Sequence, residues 1–113
     1  MREPSLRFEN LVGGHLLKWV HHEQDAKGRD VELRYFRDTD RREVDFVVVE
    51  GRTPQLMVEC KWADAEVDRS LKYLKARFPK CDAWQVSAIG TKDYVTADDI
   101  RVAPAMRLLP SLV

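Results

Sequence analysis

From Phe8 to Val20, apolar residues recur at spacings of three and four. Phe8, Leu11, Val12, Leu16, Trp19 and Val20 fall on one face, which predicts an amphipathic helix beginning near Leu6 with Ser5 as its cap. Gly13 and Gly14 lie inside it, each at a cost of about 1 kcal/mol against alanine. Either something packs very close to them or the helix bends. DAKGRD then breaks the pattern, and the period falls to two. VELRYFR sets Val31, Leu33 and Tyr35 against Glu32, Arg34 and Phe36; EVDFVVVE is rich in β-branched residues; QLMVECKW follows the loop EGRTP. These segments predict a meander of three strands. Helical spacing returns with Val67, Leu71, Leu74 and Phe78, predicting a second helix from about Ala65 to Phe78 that Pro79 ends. AWQVSAIG reads as a fourth strand, and the tail offers a short strand around Ile100 to Val102 and a weak C-terminal helix. The expected order is α-β-β-β-α-β: an α/β fold with a mixed sheet of about four to five strands flanked by helices.

Composition narrows the class. A chain of 113 residues, 44% hydrophobic and 34% charged, has the size and apolar content for one domain with one core, expected to span 1–113. Lys plus Arg equals Asp plus Glu at 19 each, which excludes a protein that holds nucleic acid by bulk charge. No run approaches the roughly 18 apolar residues that span a bilayer, and MREPSLRFEN does not read as a signal peptide, so a cytoplasmic protein without a membrane partner is expected. Cys60 and Cys81 lack zinc-type spacing and are expected to be reduced thiols packed as small hydrophobes. There is no Gly-rich phosphate loop and no Ser, His, Asp order.

Asp45, Glu59 and Lys61 interrupt the apolar runs of the second and third strands. Side chains alternate along a strand, so Glu59 and Lys61 share a face. With a turn near Arg52, residues whose numbers sum to about 104 lie opposite, which pairs Asp45 with Glu59. Opposed carboxylates repel, and burial sharpens the repulsion unless a cation neutralises it. Hard oxygen ligands suit Mg²⁺ or Mn²⁺. Lys61 could orient or deprotonate a water, or stabilise charge developing on phosphorus. Together these roles describe metal-assisted phosphodiester hydrolysis, with Asp45 and Glu59 as metal ligands and Glu9 completing the site from the first helix.

Candidate phosphate contacts are Arg37, beside this site, and Lys72, one of the bases Arg69, Lys72, Lys75, Arg77 and Lys80 on or near the second helix. The plainer reading of that group is a solvated helix whose preceding acids and trailing bases suit its dipole. His15 falls on or near the apolar face, where a packed imidazole is expected. His21 and His22 could ligate a metal as a pair, but adjacent residues on a helix point about 100° apart, so surface residues are expected. Trp62 reads as a core or interface aromatic, with base stacking the alternative.

At Asp45 and Glu59-Cys60-Lys61 the sequence resembles the PD-(D/E)XK nuclease-like superfamily, with Val44 where a proline often precedes the Asp. The resemblance implies a restriction-endonuclease-like fold in which Glu9, Asp45, Glu59 and Lys61 hold the active-site positions, with Mg²⁺ as cofactor and DNA as substrate. RFENLVGGHLLKW, RYFRD, REVDFVVVE and LMVECKW look more specifically like the C-terminal domain of a large family of bacterial and archaeal AAA-type ATPases, from about Arg7 to Gly90. That likeness implies an ATPase partner in cis or in trans. Two classes stay open beside the nuclease: a non-catalytic module binding nucleic acid or protein, and a dimerising domain whose carboxylates are a relic.

Overall fold

The computed structural model describes residues 3–112. Its elements in chain order are α1 (Glu3–Lys27), β1 (Val31–Arg37), β2 (Glu43–Glu50), β3 (Thr53–Lys61), α2 (Arg69–Arg77), β4 (Asp82–Ser87), β5 (Tyr94–Val95) and β6 (Ile100–Pro104), followed by 3₁₀ turns at Ala105–Arg107 and Leu109–Leu112. The strands form one mixed sheet of six, in the order β1-β2-β3-β4-β6-β5. β1, β2 and β3 are antiparallel neighbours, β3, β4 and β6 run parallel, and β5 pairs antiparallel with β6 at the edge. The expected α/β class and meander are present. The sheet has six strands rather than four to five, because β6 is joined by the two-residue β5, and the C-terminal helix is a pair of 3₁₀ turns.

Each face of the sheet carries its own core, as a sheet flanked by parallel crossovers requires. On one side Phe8, Val12, Leu16 and Val20 of α1, spaced by four, pack with Val48, Leu56, Val58 and Val86 and with Leu108, Leu109 and Leu112 of the tail. On the other, Leu71 and Leu74 of α2 cover Val44, Val47, Val49, Met57, Ala83 and Ile100. The buried stripe of α1 is narrower than expected: Leu11 is 54% exposed, Trp19 half-buried and His15 exposed rather than packed. Ser5 lies inside the helix, not at its cap.

The paired glycines of α1 do different work. A Cβ on Gly13 would come within 2.8 Å of the Phe46 ring, so the helix rests directly on β2 there; a Cβ on Gly14 would meet nothing within 4 Å. Gly14→Ala is therefore expected to stabilise the protein by up to about 1 kcal/mol through helix propensity. Gly13→Val is expected to destabilise it by about 1 to 3 kcal/mol through overpacking. Urea unfolding midpoints of the two variants check both signs.

At its far end α1 is tied to the sheet by charge. Buried Glu23 pairs with Arg29, which grips Glu50 of β2 with two nitrogens at 3.1 and 2.8 Å. Among the described residues no helix is long and apolar enough to cross a membrane. Cys81 is buried and Cys60 packs against the α1-side core, both as free thiols.

Candidate functional site: a carboxylate pair in an opened strand ladder

β2 and β3 pair in the expected register from Val48 with Leu56 to Phe46 with Val58, reached through a one-residue shift after Glu50 with Thr53 and Val49 with Pro54; the chain turns through Gly51 and Arg52, the glycine at φ 62°. The ladder ends at Phe46 and Val58. Beyond it, side chains take over from the main chain. The Asp45 amide donates to Glu59 Oε1 at 3.1 Å, and the Cys60 amide donates to Asp45 Oδ2 at 2.9 Å. Each carboxylate thus reaches the backbone of the facing strand, which keeps two main-chain donors satisfied where the sheet opens.

A β-bulge sets this geometry. Phe36 pairs with Val44 and Arg34 with Val47, so β2 carries an extra residue against β1 over this stretch. Asp45 and Phe46 both stand opposite Tyr35, and Val44 and Val47 both face the α2 side although they are three apart. An extra residue bends a strand and re-aims its side chains. β1 itself keeps the expected alternation: Val31 and Leu33 face the α1-side core and Phe36 the α2-side core, while Tyr35, on the Val31 face, is 69% exposed.

Glu59 and Lys61 point to the α2 side, where Lys61 Nζ lies 2.9 Å from Asp68 Oδ2 and 3.6 Å from Glu59 Oε2. Asp68 is the N-cap of α2, its Oδ1 accepting from the amides of Ser70 at 2.8 Å and Leu71 at 3.4 Å. Its own amide donates to Gln85 Oε1 at 2.8 Å. Gln85, 2% exposed and in register with Glu59, uses its amide nitrogen on the carbonyls of Ala65 and Glu66. These bonds hold residues 65–68 as a loop, so α2 begins at Arg69 rather than near Ala65.

Burial governs the electrostatics. It raises the Glu59 carboxyl to about 8, with the Asp45 charge acting the same way, so Glu59 is largely protonated at neutral pH. Asp45 is raised too, by burial, although the Cys60 amide and Lys61 pull against it. Burial disfavours the Lys61 ammonium, but the hydrogen bond and charge of Asp68 outweigh that and leave its pKa raised. The same pair lowers Asp68 despite its burial. Burial, then the neighbouring Asp45 and Glu59 charges, push the Cys60 thiol up, which suits an inert side chain and not a nucleophile.

Glu9 approaches from α1 without a hydrogen bond to the others. Burial raises its carboxyl, and the charge of Asp45 adds to the effect. Glu9 and Asp45 share a groove of about 550 Å³ with Arg34, Tyr35 and Arg37 of the β1 edge. Arg37 is exposed and its Nε pairs with Glu43 Oε1 at 2.7 Å. Lys72 lies apart, in a separate groove with Pro79, Asp98 and Asp99. Its neighbour Lys75 does not belong to a solvated face: it is 5% exposed and donates to the carbonyls of Pro79 and Cys81. Trp62 is 41% exposed at the end of β3.

Asp45, Glu59 and Lys61 are therefore brought together, with Glu9 and Arg37 around the Asp45 side. Asp68 and Gln85 belong to the same cluster and were not among the expected residues. Signals for both exist: Asp68 is a cap-type residue directly before the helix, and Gln85 is polar in the middle of the apolar run AWQVS. Among the described residues no three His, Cys, Asp or Glu side chains converge as a ready-made metal cage. No curated protein and no solved structure matches the chain. A family model described as a domain of unknown function, DUF4143, matches residues 7–108, and the chain belongs to that family.

Proposed function

We propose that the domain hydrolyses phosphodiester bonds in DNA with the help of Mg²⁺ or Mn²⁺. The observation that carries this reading is the Asp45 and Glu59 pair, set by a bulge at an opened ladder, with the Lys61 ammonium 3.6 Å from Glu59. The donor chemistry fits such an ion. Asp45 and Glu59 each spend one oxygen on the facing backbone, leaving Asp45 Oδ1 and Glu59 Oε2 as hard donors. Mg²⁺ commonly takes one or two carboxylates, with water and phosphate oxygens completing its shell. When bound, the ion would supply charge that shields phosphate and makes a bound water more acidic.

The chain's own groups have separable roles in this reading. Lys61, held charged by Asp68, stabilises negative charge on the phosphate oxygens and does not act as a base. Glu59 would hold the ion as a carboxylate, its proton passing to solvent, and Glu9 would lend a further carboxylate on the Asp45 side. Arg37, at the rim of the groove, meets a backbone phosphate by leaving Glu43; Lys72 contacts nucleic acid only as an outlying charge. The likeness to the PD-(D/E)XK superfamily supports the assignment, because the order of helix, antiparallel meander, crossover helix and parallel strand agrees with it. The likeness to the ATPase-linked domains supports an ATPase module in cis or in trans as the partner.

A second reading, a non-catalytic module that binds nucleic acid or protein, is favoured by one observation: Lys61 is already neutralised by Asp68. Labelled single-stranded and duplex DNA, incubated with the protein and Mg²⁺ or Mn²⁺, separates the two. Cleavage that chelator and Asp45→Ala both abolish supports the nuclease. Salt-sensitive binding without cleavage, weakened in Arg37→Ala, supports the module.

A further inference from the structure

Lys61 has two carboxyl neighbours and sits closer to one. Its Nζ is 2.9 Å from Asp68 Oδ2 and 3.6 Å from Glu59 Oε2, so the ammonium leans toward α2 and away from the carboxylate pair. Asp68 cannot follow Lys61 elsewhere. Its Oδ1 is fixed by the amides of Ser70 and Leu71, and its backbone by Gln85, whose carboxamide is buried and fully bonded. A buried glutamine spending both ends of its amide on one loop is a costly arrangement to keep for a loop alone. Here it fixes the place of one oxygen, Asp68 Oδ2.

We propose that Asp68, anchored by Gln85, is a positioning residue that draws the Lys61 ammonium off Glu59, leaving Glu59 Oε2 open to a divalent cation. The cation half of this statement rests on the metal-dependent reading above; the positioning half does not. Without Asp68, the nearest carboxyl left to Lys61 is that of Glu59, and lysine and metal then compete for the same oxygen.

Asp68→Asn isolates the effect, because asparagine caps a helix about as well as aspartate and so preserves α2, while the charge facing Lys61 is lost. The first readout needs no metal. A lysine ammonium held in a hydrogen bond exchanges its protons slowly enough to give its own proton–nitrogen correlation near neutral pH. In the parent that signal for Lys61 is expected to survive Glu59→Gln, whereas in Asp68→Asn it is expected to depend on Glu59 and to disappear when Glu59→Gln is added. A signal that Glu59→Gln alone removes, or that survives Asp68→Asn and Glu59→Gln combined, overturns the proposal.

The second readout is Mg²⁺ affinity by calorimetry. Asp68→Asn is expected to bind roughly tenfold to a hundredfold more weakly than the parent, the usual effect of losing a residue that orients a metal's ligands. Adding Lys61→Met to Asp68→Asn is expected to recover most of the loss, which mere damage to the helix cap would not allow. Equal affinity in parent and Asp68→Asn, or no recovery in the double variant, overturns the proposal. A parent that binds no divalent cation overturns the metal-dependent reading instead, and the ammonium signal then decides the positioning role.

Discussion

Between about pH 4.5 and pH 8, without divalent cations, the protein is expected to lose stability as pH rises, and Glu59→Gln is expected to remove most of that loss. The sign follows from proton binding. Glu59 titrates near 8 in the folded protein and near 4.5 unfolded, so in this window the folded state holds a proton that the unfolded chain has released. Raising the pH then favours unfolding, by up to about 1.4 kcal/mol per pH unit for one proton. Asp45 and Glu9, also raised, add to the slope at its acid end. Asp68 acts in the opposite sense, its stabilisation disappearing as pH falls through its lowered folded pKa, below the Glu59 window. Glutamine at 59 accepts from the Asp45 amide as glutamate does and donates to the Asp45 carboxylate, without a proton to lose. Urea unfolding of parent and variant at pH 5 and pH 8 measures the difference. A parent as stable at pH 8 as at pH 5 would contradict the account of a buried, proton-sharing pair.

The second large effect concerns chemistry. In the DNA cleavage assay, Lys61→Ala is expected to lower the rate about 10² to 10³-fold, the usual consequence of removing one charge-stabilising donor. Asp45→Ala is expected to bring cleavage to background. Lys61→Arg restores the charge but not its shape, since a planar fork cannot reproduce the compact contact with both Asp68 and Glu59, so only part of the rate returns. If Lys61 served as the base instead, Lys61→Arg would be as inactive as Lys61→Ala. The comparison therefore distinguishes an electrostatic role from proton abstraction.

How far the site is legible in the sequence depends on the range of the interactions that build it. The meander follows from local pattern and a short hairpin, but the two-residue turn alone pairs Glu50 with Thr53 and would set Asp45 opposite Val58; a one-residue shift between Val48 and Val49 restores the facing of Asp45 and Glu59. The bulge does not follow, since nothing in EVDFVVVE shows that β1 will leave one residue of β2 unmatched. The alternation of β1 shows which side chains share a face but not that the Phe36 face is packed while Tyr35 stays exposed. The start of α2 was misplaced for a similar reason: residues 65–68 have helical pattern, but Gln85, 17 residues beyond Asp68, holds them as a loop. Leu11 has the correct spacing for the α1 stripe, yet the side chains that pack run at intervals of four through Phe8, Val12, Leu16 and Val20 and leave it exposed. β5 is two exposed residues long, too short for any periodicity.

Asp68 and Gln85 show the same limit from the functional side. A polar residue inside an apolar strand drew attention to Asp45, Glu59 and Lys61, and the same criterion applied to AWQVS singles out Gln85. What that criterion lacks is the partner. Only the fold reveals that Gln85 and Lys61 meet through Asp68, turning a helix cap into part of the charged cluster.

On the metal-dependent reading proposed above, the sheet tolerates Asp45 and Glu59 together because they hold a divalent cation. Calorimetric titration of Mg²⁺ and Mn²⁺ into the parent, Asp45→Ala and Glu59→Ala tests it most directly. The account predicts binding by the parent, accompanied by proton release that grows as pH falls below about 8, and no binding by either variant. Absence of binding by the parent, even with a DNA duplex present, would contradict it and leave the shared proton alone to reconcile the two carboxylates.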